Sequence, residues 1–271
     1  MRIGMTVAVA CACTACSNPR CVVVLFDASK TVTQEGMLEH YMYDFKEKIL
    51  SSLESRDVVL ANVIVEEPLI TTGVKQWPIE IRVKNLFWFT EFGKQNALKR
   101  LRKEQADELG RLQEIHTRAS PIIDALKVAG GALQDRACRD VEDRRIVVFS
   151  DMLENSARWE IKDDLKVRIK DLGVVTTSLS LGDEETPLDT EREVDQLLEL
   201  EMDRGTVNLK DVQVYAIGAL GTDPKTASGP NDPAPAHRRE MLRLFWQRYF
   251  EAAGASLEPE RWWALRIPDW P

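Results

Sequence analysis

The chain has 271 residues, of which 44% are hydrophobic and 30% are charged. This length and composition are typical of a folded protein with a full hydrophobic core, in one large domain or two small ones. The formal net charge of −8 argues against nucleic acid as the main partner, because phosphate binding needs a concentrated basic surface.

The first sixteen residues differ from the rest. Arg2 is followed by an uncharged run of apolar and small residues that ends at Cys16, and this run is too short to span a bilayer as a helix. A short positive start, an apolar core and small residues before a cleavage point are typical of a secretory signal. The run resembles a bacterial lipoprotein signal, although the usual leucine three places upstream is missing. We therefore expect a signal at residues 1–16 with Cys16 lipidated, Cys11 being the alternative. A buried apolar strand or a wrongly assigned start is the competing interpretation.

Two cysteines lie outside this leader. Cys21 lies at the start of the first predicted strand, and Cys138 lies in the loop before a later strand. In an oxidising compartment two such cysteines are often paired. The sequence leaves two alternatives open: a disulfide between Cys21 and Cys138, or two buried free thiols.

The predicted elements begin with a strand, a helix and a second strand. The apolar run at residues 21–26 predicts a strand buried on both faces, which ends at Asp27. Apolar side chains at every fourth position of residues 37–53 predict a helix, and residues 57–65 predict a second strand. This order indicates a right-handed βαβ unit.

The pattern is less regular between residues 66 and 116, and we interpret this segment as an insertion within one domain that covers residues 17–271. Residues 79–83 alternate in polarity as an exposed strand does. Residues 94–116 predict a long helix that is largely solvated.

Strands and helices alternate again in the second half of the chain. Helices are predicted at 122–133, 159–172 and 237–253, and strands at 145–150, 174–181 and 211–218. Such alternation predicts an α/β fold with a doubly wound, mainly parallel sheet flanked by helices. Tryptophans 262, 263 and 270 are expected to pack the C-terminal tail onto the domain.

Oxygen-bearing side chains gather where two buried strands end, the edge at which open α/β sheets bind ligands. Asp27, Ser29 and Thr31 alternate along one loop, so that their side chains can converge on one point. Ser120 offers a hydroxyl before a helix, and Asp151 offers a second carboxylate. An all-oxygen cluster without His or Cys suits a hard cation, Mg²⁺ or Mn²⁺.

These residues also carry a family resemblance. Residues 27–31, Asp-Ala-Ser-Lys-Thr, resemble the metal-ion-dependent adhesion site (MIDAS) of von Willebrand factor A (VWA) domains. Residues 147–151, Val-Val-Phe-Ser-Asp, are similar to the strand end that carries the second aspartate of that site. Ser120 fills the place of the family's threonine, with Thr117 as the alternative because the insertion is longer than the family's usual connection. The resemblance covers most of residues 21–253.

The resemblance implies a binding protein. Ser29, Thr31 and Ser120 would coordinate the metal directly, and Asp27 and Asp151 would act largely through bound water. An open position on the metal would take a carboxylate from a protein partner, and no catalytic base or nucleophile is required. Together with the leader, this predicts an exported, non-catalytic protein of the bacterial cell envelope or periplasm, which meets the membrane only through its lipid anchor.

Two rival interpretations stand beside this one. Haloacid dehalogenase-like phosphatases also place an aspartate after a buried strand, so the chain could be a metal-dependent phosphohydrolase that uses Asp27. However, Ser29 replaces the second aspartate, which is their general acid. A VWA-like scaffold without a functional metal is the other rival, because Asp-x-Ser-x-Thr often forms only a turn or a cap. Glu154 and Ser156 either line the rim of the site or cap the next helix.

Overall fold

The computed structural model describes strands and helices in separate stretches between residues 18 and 270. The described residues are 18–29, Val32, 37–54, 56–64, 79–82, 120–135, 138–156, 159–161, 166–171, 174–180, Arg192, 194–195, 198–199, 207–219, 233–268 and Trp270. The strands are β1 (Arg20–Asp27), β2 (Val58–Ile64), β3 (Ile79–Arg82), β4 (Asp143–Phe149), β5 (Trp159–Ile161), β6 (Lys166–Asp171), β7 (Val174–Ser180), β8 (Val212–Ile217) and β9 (Trp263–Ala264). The helices are α1 (Met37–Asp44, continued by Phe45–Ile49 and Leu50–Ser52), α2 (Ile122–Gln134) and α3 (Pro233–Ala252). None of these described helices combines the length and the apolar character needed to cross a membrane.

The central sheet has six strands in the order β3-β2-β1-β4-β8-β9. All neighbours in it are parallel except β3, which runs antiparallel to β2. The predicted α/β fold with a mainly parallel sheet is therefore confirmed. From β1 the chain builds outward to β3, then returns to β4 on the other side of β1 and builds outward to β9. The winding thus reverses between β1 and β4, and ligands bind at such a reversal in open α/β sheets.

Helices cover both faces of this sheet, which explains why β1 is buried along its whole length. Alternate side chains of β1 enter two different cores. Those packed in the core that includes α2 and α3 are Cys21, Val23 and Leu25. Those packed in the core that includes α1 are Val22, Val24 and Phe26. A strand that is apolar on both faces reads as a continuous apolar run in the sequence.

Helix α1 contains a wide turn that matches its four-residue apolar repeat. In an α-helix of about 3.6 residues per turn, a repeat of four drifts by roughly 40° each time. The N–H of Leu50 donates to the carbonyl of Phe45, five residues back, which is the π-helical pattern. Because this turn holds more residues, Phe45 and Ile49 both stay fully buried against the sheet.

The predicted helix at residues 159–172 is wrong. β5, β6 and β7 form a separate three-stranded antiparallel sheet instead. The sequence of β6, Lys-Val-Arg-Ile-Lys-Asp, alternates charged and apolar residues with the period of a strand. Asp171 pairs with Val174, and the two residues between them, one a glycine, are a common hairpin connection. The predicted strand at 174–181 exists as β7, but it does not belong to the parallel sheet.

Part of the predicted insertion at residues 66–116 belongs to the sheet, since β3 pairs with β2. The predicted helix at 94–116 lies outside the described residues. The predicted packing of the C-terminal tail is present. Trp262 is buried in the core beside Phe250, β9 pairs with β8, and Trp270 lies against Tyr215 with ring centroids 5.3 Å apart.

A disulfide joins Cys21 of β1 to Cys138, in the connection between α2 and β4. The two Cα atoms are 5.6 Å apart, and the two cysteines have a sequence separation of 117. Both side chains are fully buried. The bridge thus fastens a central strand to the segment that leads into its neighbour.

Candidate functional site

Asp27 is the centre of a polar cluster at the carboxyl end of β1. Its Oδ1 accepts hydrogen bonds from the Ser29 N–H at 2.7 Å and the Ser120 hydroxyl at 3.0 Å. Its Oδ2 accepts one from the Ser150 hydroxyl at 2.7 Å. Three segments far apart in sequence therefore meet on one carboxyl group: the loop after β1, the residues before α2 and the end of β4.

Asp27 is fully buried, and its described partners are all neutral. Burial raises the pKa of its carboxyl group, and the hydrogen bonds from Ser150, Ser29 and Ser120 oppose that rise. Hydroxyl and amide groups stabilise a carboxylate, but they bring no compensating charge.

Two other buried aspartates are neutralised in a different way. Asp57 pairs with Arg20, whose Nη2 lies 2.7 Å from Asp57 Oδ2. Asp44 pairs with Arg266, whose Nε lies 2.8 Å from Asp44 Oδ2. Among the described residues, no Lys, Arg or His makes a hydrogen bond or ion pair with Asp27. A buried acid without a basic partner is the kind of group that a bound cation neutralises.

The loop after β4 holds Asp151 next to this cluster. Ser150, the residue before it, bonds to Asp27 and accepts the Met152 N–H at 2.9 Å. Asp151 is buried, and its Oδ1 accepts the Leu153 N–H at 2.9 Å. Met152 has a positive φ of 63°, and its carbonyl accepts the indole N–H of Trp246 from α3 at 2.9 Å. The loop is thus fixed from both sides.

Glu154 does not cap a helix that follows it, because β5 comes next in the chain. It caps α2 instead: its Oε2 accepts the N–H of Ile123 at 2.9 Å. Burial raises the pKa of Glu154 from 4.5 to about 8, although the N–H of Ile123 opposes that rise, so the side chain is largely neutral at pH 7. Ser156 is buried nearby in the same loop.

The predicted site residues fall into two groups. Asp27, Ser29, Ser120 and Asp151 are all buried at the carboxyl edge of the sheet. Thr31, its neighbour Lys30, and the alternative Thr117 lie outside the described residues, as do the signal at 1–16 and its cysteines, Cys11 and Cys16. Within the described part of the chain, no group of three or more His, Cys, Asp and Glu is arranged to hold a metal ion. What this edge offers is two aspartates with several hydroxyls, a donor set that suits a hard cation.

The sequence prediction missed Ser150, and it named Glu154 at the rim of the site or as a cap without the helix that Glu154 caps. The hydroxyl of Ser150 makes a short hydrogen bond to Asp27. A polar pair directly after a buried strand is the signal that would have found it. Nothing in the sequence indicated that Glu154 reaches back to the N–H of Ile123, 31 residues earlier in the chain.

Comparisons with known proteins identify no family for this chain. No family model and no curated protein matches it. One solved structure with some similarity is the human COPII-coat protein Sec24c, with a TM-score of 0.34 and 9% sequence identity, over 87% of this chain and 32% of that one. The chain thus spans about a third of the length of that structure. A likeness of this degree identifies neither a family nor a function.

Proposed function

We propose that this chain is an exported, non-catalytic VWA-like protein that binds a protein partner through a divalent cation, Mg²⁺ or Mn²⁺, at the carboxyl ends of β1 and β4. The observation that carries the proposal is the Asp27 carboxyl group. It is fully buried, its described partners are all neutral, and it lies where the winding of the sheet reverses. That position favours ligand binding, and a bound cation would supply the counter-charge that the buried carboxyl group lacks.

The donor set fits such an ion. Ser29 and Ser120 would coordinate it directly, together with Thr31, while Asp27 and Asp151 would act largely through bound water. A cation held mainly by neutral hydroxyls keeps most of its positive charge, so a carboxylate of the partner is the ligand that it would attract. The protein's own part is to fix the hydroxyls, which it does by hydrogen-bonding Ser120 and Ser150 to one buried carboxyl group.

The same geometry makes Asp27 a poor nucleophile for the rival phosphohydrolase. Both of its oxygens already accept hydrogen bonds, and the residue has no exposed surface. Ser29 stands where such enzymes need a second acid. Incubation of the purified protein with a panel of phosphate esters is expected to release no phosphate above the level of an Asp27→Asn control.

The disulfide between Cys21 and Cys138 supports export. Disulfides persist in oxidising compartments such as the periplasm and are rare in the cytosol. It is an argument independent of the leader, whose resemblance to a lipoprotein signal supports the same location.

Calorimetric titration with Mn²⁺ and Mg²⁺ tests the metal. Wild type is expected to bind, and Asp27→Asn to bind at least about tenfold more weakly, because the variant keeps the size of the side chain and loses its charge. Asp44→Asn is the matched control, since Asp44 is equally buried but bonds to Arg266 and Ile267 instead of the site. Equal affinities in wild type and Asp27→Asn would refute the metal site.

A further inference from the structure

We propose that Glu154 is a positioning residue of this site: its buried carboxyl group fastens the loop after β4 to the first turn of α2 and so fixes Ser120 relative to Asp151. The inference rests on the proposed function in so far as the positioned oxygens bind a metal. Glu154 lies three residues after Asp151 and is not proposed to touch the ion.

Glu154 and Asn155, adjacent in the loop after β4, each make a hydrogen bond to the turn that contains Ser120. The Glu154 carboxylic oxygen Oε2 accepts the Ile123 N–H at 2.9 Å. The Asn155 N–H donates to the carbonyl of Ser120 at 2.9 Å. That carbonyl also accepts the Ile122 N–H at 2.8 Å, so the backbone of Ser120 is restrained from the loop and from α2 together.

The loop can act as a fixed point because it is fastened on its other side. The carbonyl of Glu154 accepts the Ile161 N–H at 2.6 Å, and Asn155 forms a β-bridge with Glu160. Further back in the same loop, the Met152 carbonyl accepts the indole N–H of Trp246. Side-chain and backbone bonds of residues 154 and 155 therefore connect a braced loop to α2.

The chemistry of Glu154 argues for more than helix capping. The residue is fully buried, and its carboxyl group is held by neutral donors, the Ile123 N–H and the Ser156 hydroxyl. Burial of a carboxyl group without a counter-charge is costly, and serine or threonine caps helices without that cost. Unlike those short side chains, glutamic acid can reach from a separate loop to the helix end.

The experiment compares Glu154→Leu with Glu154→Gln. Leucine removes the acceptor for Ile123, whereas glutamine keeps a carbonyl acceptor of the same reach. Glu154→Leu is expected to raise the dissociation constant for Mn²⁺ at least tenfold, the effect usual for residues that orient metal ligands, and Glu154→Gln to change it less than threefold. Asp44→Asn is the control for general destabilisation and is expected to leave the constant unchanged.

A second measurement reads the positioning without any metal. Amide hydrogen exchange at Asn155, whose N–H bonds to Ser120, is expected to be faster in Glu154→Leu than in wild type and unchanged in Glu154→Gln. If Glu154→Leu does not fold, Glu154→Asp, which withdraws the carboxyl group by one methylene, takes its place in both measurements.

Three results decide between the ideas. If amide hydrogen exchange at Asn155 is unchanged in Glu154→Leu, the positioning role is overturned, independently of the measured Mn²⁺ affinity. The positioning role is also overturned if Glu154→Gln loses Mn²⁺ binding as severely as Glu154→Leu does. In that case the Glu154 carboxylate itself would be a metal ligand. If wild type binds no Mn²⁺, the proposed function fails, and faster exchange in Glu154→Leu still supports the clamp between the loop and α2.

Discussion

At the scale of single residues, the buried acids of this protein differ in how the fold accommodates their charge. Asp44 and Asp57 each face an arginine. Glu154 is accommodated by holding its proton, since burial raises its pKa to about 8. Asp27 faces only neutral donors within the described chain. Burial also raises the pKa of Asp27, so the acid at the reversal of the sheet has no arginine and is costly to ionise without a counter-charge.

Glu154 gives a prediction for the pH dependence of stability. Its pKa in the folded protein is about 8 and its ordinary value is 4.5, so between these values the folded state holds a proton that the unfolded state releases. Stability from this group is therefore fully present below about pH 4.5 and is lost as the pH rises towards 8. When the pH rises from 5 to 8, the free energy of unfolding of metal-free wild type is expected to fall by about 3–4 kcal/mol relative to that of Glu154→Gln.

Urea unfolding of both proteins at pH 5 and pH 8 measures this difference. Asp27, whose pKa is also raised, titrates in both proteins, and the comparison therefore isolates residue 154. A constant difference between the two pH values would contradict a neutral Glu154.

Much of the site was predictable residue by residue, because the side chains follow buried strands or precede a helix. The rule that strand ends of an open sheet share an edge predicts Asp27, Ser29 and Asp151, and it applies equally to Ser150, which follows β4. Ser120 precedes a helix, and its place came from the resemblance of the motif to an adhesion site. The hydrogen bond of Ser150 and the cap that Glu154 makes were not predictable, because they depend on the direction of a side chain after the strand and on a contact with a helix from another part of the chain.

At the scale of elements, the disulfide between Cys21 and Cys138 is expected to stabilise the domain. It closes a loop with a sequence separation of 117 residues and so restricts the unfolded chain strongly. Cys21→Ala/Cys138→Ala is expected to lower the free energy of unfolding by about 2–5 kcal/mol, measured by urea denaturation. Dithiothreitol should lower the midpoint of wild type towards that of the variant and leave the variant unchanged. An equal response of both proteins would show that the bridge contributes nothing.

The end of β8 gives a second prediction at this scale. Gly218 has a φ of +84°, and a Cβ atom there would overlap the ring of Tyr41 from α1. Gly218→Ala is expected to destabilise the protein by about 2–4 kcal/mol through backbone strain and overpacking. Gly131→Ala is the matched control, because a Cβ at that helical position meets no atom within 4 Å and should stabilise by about 0.5–1 kcal/mol. Thermal denaturation should show a lower melting temperature than wild type for Gly218→Ala and a higher one for Gly131→Ala.

The elements themselves were predictable where burial left a strong pattern. β1, β4 and β8 are apolar runs, and α2 begins directly after the proline at 121. The predicted helix at 159–172 is wrong because β6 alternates charged and apolar residues with the period of a strand. β6 forms a hairpin with β7, its neighbour in sequence, in a separate sheet. The expected alternation of strands and helices did not predict this second sheet.

At the scale of the whole molecule, both the predicted signal at residues 1–16 and the disulfide between Cys21 and Cys138 favour export. Mass spectrometry of the protein from native cells is expected to find Cys16 as the mature, lipidated N-terminus. The oxidised pair Cys21 and Cys138 should be present in the same preparation, because export would deliver the chain to an oxidising compartment in which disulfides persist. Detection of an intact Met1 would exclude processing of the leader.

The polar cluster belongs to the two innermost strands. Asp27 ends β1 and Ser150 follows β4, and each of these strands has a partner on either side. A change in the length or sequence of the strands beyond β2 or β8 would leave Asp27 and Ser150 in place. The outer strands of the sheet can therefore change in length or sequence without altering the spacing between Asp27 and Ser150.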